Sequence, residues 1–250
     1  MKKFEYSEVG KEIGWNFSKI NPQAEHLSSY NYYKEVVANI TPETIMLDVG
    51  CGSAEKTIRF FSLAKQVVAV DLEPEMLQKA QANFLKYYSG DSKMARRFEF
   101  LQVNADGVMP FEDEYFDLVV SRHCGANMNE VYRVLKKGGV FISEDVSCDD
   151  CQELKNLFGR GQCYGDVPHY KKVYEDCLDA GFSEVNFLKF EEIEYYKNVD
   201  ELKYLLSYTP ILNGFDDEID SKLLGMYVEK NSAEKGIRLN RRLYAFKLVK

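Results

Sequence analysis

Between residues 44 and 145 the apolar positions alternate between two kinds of pattern. Short continuous runs are bounded by turn residues, as a strand buried on both faces requires. Thr44-Ile45-Met46-Leu47-Asp48-Val49 is the first and ends at Gly50; residues 66–70 are the second, stopped by Asp71. Residues 98–103, 115–120 and 140–143 are three more. The stretches between them have helical spacing. Residues 54–64 predict one helix. Pro74 suits the first turn of another, whose stripe is Met76, Leu77, Ala80 and Phe84. Residues 130–135 predict a short helix ended by Gly138-Gly139. Strands alternating with helices predict βαβ units, a parallel sheet and right-handed crossovers. Further on, helices are expected over about 149–158 and 168–180, and strands over 183–195 and 236–249. The intervening 198–235 is rich in Leu and Tyr and predicts a helical insertion, a lid over the carboxyl edge of the sheet. Residues 1–44 are aromatic and weakly periodic, with a helix expected over 26–39 before Thr41-Pro42. They read as a cap on a single domain spanning 45–250.

Composition narrows the class. The 250 residues are 45% hydrophobic and 29% charged, an ordinary globular balance. With 32 Lys and Arg against 40 Asp and Glu, the formal charge is −8. Basic pairs are scattered and none extends into a run, which disfavours a nucleic-acid partner, since phosphate contacts supply most of that affinity. No apolar window is long enough for a membrane span, and the first residues lack the apolar core of a secretory signal. Six cysteines in 250 residues are too sparse for a disulfide scaffold. A cytoplasmic protein with reduced thiols is expected.

The chemistry gathers after the first strand. Ligands in open parallel sheets bind beyond the carboxyl ends of the strands. Here Gly50-Cys51-Gly52-Ser53-Ala54-Glu55 forms the βα turn. Asp71 ends the second strand nineteen residues after Gly52, where a carboxylate accepts ribose hydroxyls. Glu55 stands where a dinucleotide turn has Gly or Ala, and an anionic side chain there competes with pyrophosphate. The turn therefore suits an adenosine ligand without phosphates, and a dehydrogenase is disfavoured.

Leu47-Asp48-Val49-Gly50-Cys51-Gly52, Asp71-Leu72-Glu73-Pro74, Asn104-Ala105-Asp106, Pro110-Phe111-Glu112-Asp113 with Tyr115-Phe116-Asp117-Leu118-Val119, and Glu130-Val131-Tyr132-Arg133-Val134-Leu135 with Gly138-Gly139 resemble, in order and spacing, the class I S-adenosylmethionine-dependent methyltransferases. The match covers about 44–145. It implies a Rossmann-like α/β fold: a seven-stranded, mostly parallel sheet with helices on both faces, its last strand antiparallel between the fifth and sixth. It also implies roles. Gly50, Cys51 and Gly52 bring the turn to the methionine part of the cofactor, and Asp48 supports the turn and the amino group. Asp71 takes the ribose hydroxyls, Leu72 and Met76 flank the adenine, and Ala105 and Asp106 line and hydrogen-bond it. Ser121 lies beside the reactive methyl. Where many members have a third glycine, this chain has Ala54, so tighter packing is expected there.

Ser121-Arg122-His123-Cys124 follows the fourth strand, where substrate-facing residues sit. His123 is the candidate base and Arg122 a candidate anion clamp. The segment lacks the Asn-Pro-Pro-Tyr type of motif used on exocyclic amino groups. Trp15 and the aromatic residues Phe17, Tyr30, Tyr32 and Tyr33 precede the core; they either pack as ordinary core or, as the resemblance implies for the N-terminal segment, fold over the ligands, where an aromatic face also attracts a sulfonium. Tyr204, Tyr208 and Phe215 either line an acceptor pocket or bury the inner side of the insertion. Cys148 and Cys151, a C-x-x-C, would with Cys163 and His169 make a Cys₃His set, but the spacings are permissive and no metal is expected. The whole predicts a methyltransferase acting on a small-molecule acceptor, with S-adenosylhomocysteine as product. A methyltransferase for RNA or a protein side chain, or an inactive cofactor-binding protein, are the alternatives. The sequence specifies neither the acceptor nor the oligomeric state.

Overall fold

The structure is a computed structural model that describes residues 4, 6–14, 17–89, 91–166 and 169–250. Among these residues nine strands form one sheet: β1 (Gln23–His26), β2 (Ile45–Val49), β3 (Gln66–Asp71), β4 (Phe98–Gln102), β5 (Phe116–Arg122), β6 (Leu135–Val146), β7 (Glu184–Tyr196), β8 (Ser232–Ala233) and β9 (Gly236–Val249). Their order is β1-β7-β9-β6-β5-β2-β3-β4, with β8 beside β9. β2 to β6 pair parallel; β9 runs antiparallel between β6 and β7, as expected of the last strand. The chain builds outward from β2 through β3 to β4, then returns to the other side of β2 with β5 and β6. The switch point, where a crevice opens, is therefore at the carboxyl ends of β2 and β5.

The helices are α1 (Tyr6–Glu12), α2 (Tyr32–Ala38), α3 (Ile58–Phe61), α4 (Pro74–Tyr87), α5 (Ser92–Ala95), α6 (Met128–Val134), α7 (Gln152–Phe158), α8 (His169–Ala180), α9 (Val199–Ser207) and α10 (Asp217–Asn231). Strand side chains alternate between two cores. Leu47, Val49, Val70 and Val119 pack under α6 and α8 on one face. Met46, Ala69, Leu118 and Val120 pack under α2, α3 and α4 on the other. That double burial is why these strands read as unbroken apolar runs. A third core joins α7, α9 and α10 through Leu154, Leu202, Leu206 and Leu224, and it also takes Ile20 from the N-terminal segment.

Four expectations change. The sheet has nine strands rather than seven, because β1 and β8 add short edges; β1 is nearly all exposed and carries no apolar alternation. The helix over 26–39 shrinks to α2, since the Asn31 side chain accepts from Lys34 N–H and starts the helix there. The helix over 54–64 is a single turn, α3. Gly138 and Gly139 lie inside β6, which begins directly after α6. Gly138 has φ +74°, and the β5–β6 register shifts between Phe116 and Leu118, so the pair absorbs a bulge.

Candidate active site

The turn after β2 is built by backbone shapes that few side chains allow. Gly50 has φ +68° and Gly52 φ +54°. A Cβ on Gly50 would lie 2.4 Å from the Cys124 side chain, so the turn packs against the segment after β5; a Cβ on Gly52 would meet nothing within 4 Å, so its face is open. Ala54 is buried at φ +54°, where L-residues are strained. Asp71 braces the turn from the end of β3: one carboxylate oxygen accepts Gly52 N–H at 2.8 Å, the other Glu73 N–H at 3.0 Å. Asp48, 3% exposed, has a carboxylate oxygen Oδ2 with no partner. Burial, reinforced by the charge of Asp71 and opposed by the Thr57 hydroxyl, pushes its pKa up to about 7.

The segment after β5 faces that turn. Ser121 is fully buried and its hydroxyl donates to the Cys124 carbonyl at 2.7 Å, so it braces the loop. Arg122 Nε donates to Glu144 Oε1 at 2.7 Å. Burial works against the Arg122 charge, but Glu144 outweighs it and holds the guanidinium pKa above its ordinary value. His123 adopts φ +57°, with its backbone N–H on the Glu144 carbonyl. Its Nδ1 lies 3.7 Å from Asp145 Oδ1, and 37% of its side chain is exposed. Burial, aided by Arg122, lowers its pKa, so the imidazole is neutral at pH 7. Cys124, which the sequence reading did not single out, is central. Burial and the fields of Asp71, Asp145, Asp106 and Asp48 push its thiol up to about 12. The clue was its place three residues past Ser121, opposite the glycine turn.

The remaining cofactor candidates sit around this centre. Ala105 is half-buried and its carbonyl accepts Asn127 N–H; Asp106 is exposed. Leu72 is exposed, whereas Met76 is buried beneath Gly10 of α1. Cys51 is half-buried, its N–H on the Val70 carbonyl. Trp15 lies outside the described residues. A cavity of about 210 Å³ adjoins Asp106, Cys124 and Asp145 and reaches His169 and Lys172 of α8.

The N-terminal segment crosses this carboxyl edge. Lys79 of α4 donates to the carbonyls of Gly10 and Lys11. Phe17 meets Tyr204 edge-on at 6.2 Å, and Ile20 enters the insertion's core. β1 pairs with β7, and the chain then brings Tyr30, Tyr32 and Tyr33 back beside the glycine turn. Tyr204 and Phe215 pack on the insertion's core, and the Tyr208 ring lies tilted against Tyr204, 4.8 Å between centroids. Cys148 accepts His169 N–H at 3.3 Å beside Cys163, while Cys151 is buried in the insertion's core. Among the described residues no three of His, Cys, Asp and Glu are placed to hold a metal ion, and no helix is long and apolar enough to cross a membrane.

Comparison with known proteins agrees with this geometry. A family described as a methyltransferase domain matches residues 40–206. An uncharacterized methyltransferase-like protein of Schizosaccharomyces pombe is 31% identical over 199 residues, covering 74% of this chain and 71% of that protein. The sterol 24-C-methyltransferase of Kluyveromyces lactis is 27% identical over 222 residues, 80% of this chain and 56% of that enzyme. Among solved structures, a Bacillus halodurans protein provisionally described as a methyltransferase has TM-score 0.61 at 20% identity, covering 88% of this chain and 98% of that one. The phosphoethanolamine N-methyltransferase 2 of Haemonchus contortus, solved with S-adenosylhomocysteine and phosphomonomethylethanolamine, has TM-score 0.53 at 20% identity, covering 87% of this chain and 51% of that one. The glycine turn, the carboxylate closing β3 and the matched domain agree: the chain belongs to the class I S-adenosylmethionine-dependent methyltransferases.

Proposed function

We propose that this methyltransferase acts on a small-molecule acceptor held between the glycine turn, the segment after β5 and the N-terminal strap. The residues present fit S-adenosylmethionine. Asp48 offers an orphaned buried oxygen to its ammonium group. The open face of Gly52 leaves room for the methionine part. Asp71 is fixed by two backbone N–H groups and keeps a further lone pair on each oxygen for ribose hydroxyls. Leu72, Ala105 and Asp106 take the adenine, and Met76 supports that side from beneath. When bound, the cofactor supplies an electrophilic methyl on a sulfonium, open to in-line displacement.

The protein's own work is placement and proton handling. Ser121 holds the Cys124 carbonyl and thus the loop that faces the turn. His123 is neutral at pH 7, with Nδ1 toward Asp145 and Nε2 left to accept a proton from the acceptor. The observation that carries the small-molecule reading is the strap itself: residues 17–33 run from the insertion to β7 and back to the turn across the carboxyl edge. That enclosure suits a small acceptor better than a polymer.

Calorimetric titration with S-adenosylmethionine and S-adenosylhomocysteine, with NADH as control, tests the cofactor half. The first two should bind alone, and Asp71→Ala should weaken them by about 1.5–3 kcal/mol, the scale for losing hydrogen bonds to a charged group. Incubation with labelled S-adenosylmethionine and a fractionated cell extract tests the acceptor half. Label should enter the small-molecule fraction; label confined to RNA or protein, or none at all, overturns the reading.

A further inference from the structure

Buried oxygens without partners gather on one side of the glycine turn. The hydroxyls of Tyr30, Tyr32 and Tyr33 are buried and bond to no described residue. Tyr32, 3% exposed, feels Asp48, Arg122, Glu144 and Tyr33; Tyr30 and Tyr33 both feel Glu144 and Arg122. Tyr32 and Tyr33 pack edge-on at 5.4 Å. A buried hydroxyl left without a partner destabilises the fold. Three within four residues of chain are therefore a standing cost in the absence of a ligand that gives them partners.

Two cations share that space. Arg122 commits Nε to Glu144 and lies over the Tyr33 ring, 5.5 Å from its centroid. Its two terminal nitrogens donate to no described residue. Lys56, two residues beyond Ala54 on the turn, is solvent-exposed and makes no hydrogen bond or ion pair with any described residue; the surrounding protein and the charge of Arg122 lower its pKa, and Glu194, Glu144 and Glu55 oppose them. Of the acids nearby, Glu144 is engaged with Arg122, and Glu194 with Arg241 at 2.9 Å and Tyr196 at 2.7 Å. Lysine and arginine only donate, and burial keeps all three phenols protonated and able to donate. The three phenols and the terminal nitrogens of Arg122 are thus donors with no acceptor among the described residues.

We propose that Lys56, the free edge of Arg122 and the hydroxyls of Tyr30, Tyr32 and Tyr33 form an oxyanion subsite for a carboxylate or phosphate group on the methyl acceptor. The subsite rests on the reading that this cleft receives the acceptor. It anchors one end of the molecule and leaves the other to His123. Bonds from these donors to one oxyanion would be charge-assisted, the strong class of hydrogen bond.

The test uses inorganic phosphate and acetate as probes, each titrated into protein saturated with S-adenosylhomocysteine, with chloride at matched ionic strength as control. One of the two should bind with one-to-one stoichiometry in the millimolar range or tighter. Phosphate alone marks a phosphate monoester as acceptor; acetate alone marks a carboxylic acid. Lys56→Met should weaken that binding about tenfold or more, the scale for one charged hydrogen bond. Tyr32→Phe should also weaken it, while raising the melting temperature of the ligand-free protein by removing an unpaired hydroxyl. A purely structural tyrosine would show no anion effect. Binding of neither anion, or equal binding to both variants and wild type, overturns the subsite. Failure of wild type to bind S-adenosylhomocysteine would instead overturn the cofactor reading; the anion titration of ligand-free protein then still decides the subsite.

Discussion

Asp48 owes its unusual state to its place in β2. The register sets it between Ala69 of β3 and Val120 of β5, one residue before the turn begins. Neighbours of that kind give no hydrogen bond to Oδ2, so burial raises its pKa to about 7. The folded protein therefore holds a proton here that the unfolded chain releases near pH 4. Stability from this group is full at low pH and is lost as pH rises through about 7. A cofactor ammonium reverses the preference, because it favours the carboxylate. Binding should thus release a proton, and affinity should rise with pH from about 6 to 7.5, then fall as the ligand's α-amino group titrates near 7.7–8.0. Asp48→Asn should flatten the rising limb. Titrations in two buffers of different ionisation enthalpy measure the proton directly; an affinity independent of pH would refute the assignment of Asp48 to the ammonium.

At the scale of elements, the insertion between β7 and β9 stands on its own core and on a buried ion pair. Arg160, after α7, reaches Asp220 of α10 at 2.5 Å; Asp220 is buried and also accepts Asp216 N–H at 2.9 Å. Removing one partner of a buried pair leaves the other charge stranded, at about 3 kcal/mol. Asp220→Ala should therefore lower overall stability on that scale and speed hydrogen exchange across 199–231. Affinity for S-adenosylhomocysteine should change little, since the turn, Asp71 and Asp48 belong to the sheet. Unchanged exchange in the insertion would show that the pair does not hold it. These elements also mark what the chain reveals unaided. β2, β3 and β5 were legible because burial on both faces demands unbroken apolar runs. β1 was not, because Gln-Ala-Glu-His has no pattern and becomes a strand only by pairing with β7. The helix expected over 54–64 contracted because the left-handed turn at Ala54 delays it, a conformation that alanine does not advertise.

Across the whole molecule, the site joins distant pieces of chain, and this limited how much of it could be read. Gly50, Gly52 and Asp71 were visible because motif spacing fixes them locally. Cys124 against Gly50, Lys56 near Arg122 and the tyrosines behind them come together only through the fold. The same assembly concentrates charge. Asp48, Asp71, Asp106 and Asp145 all act on Cys124 at the centre of the crevice, within a chain of net charge −8. S-Adenosylmethionine carries one more positive charge than S-adenosylhomocysteine, and otherwise the two differ by a methyl group. A crevice ringed by carboxylates attracts the first more than the second, which favours exchange of product for fresh cofactor. Part of that preference acts over distances comparable with the Debye length, about 10 Å at 0.1 M salt, so added salt should erode it. Raising ionic strength should weaken S-adenosylmethionine binding more than S-adenosylhomocysteine binding and draw the two affinities together. Parallel titrations of both ligands at low and high salt measure the ratio. A ratio unmoved by salt would mean that short contacts alone, not the field of the four carboxylates, distinguish cofactor from product.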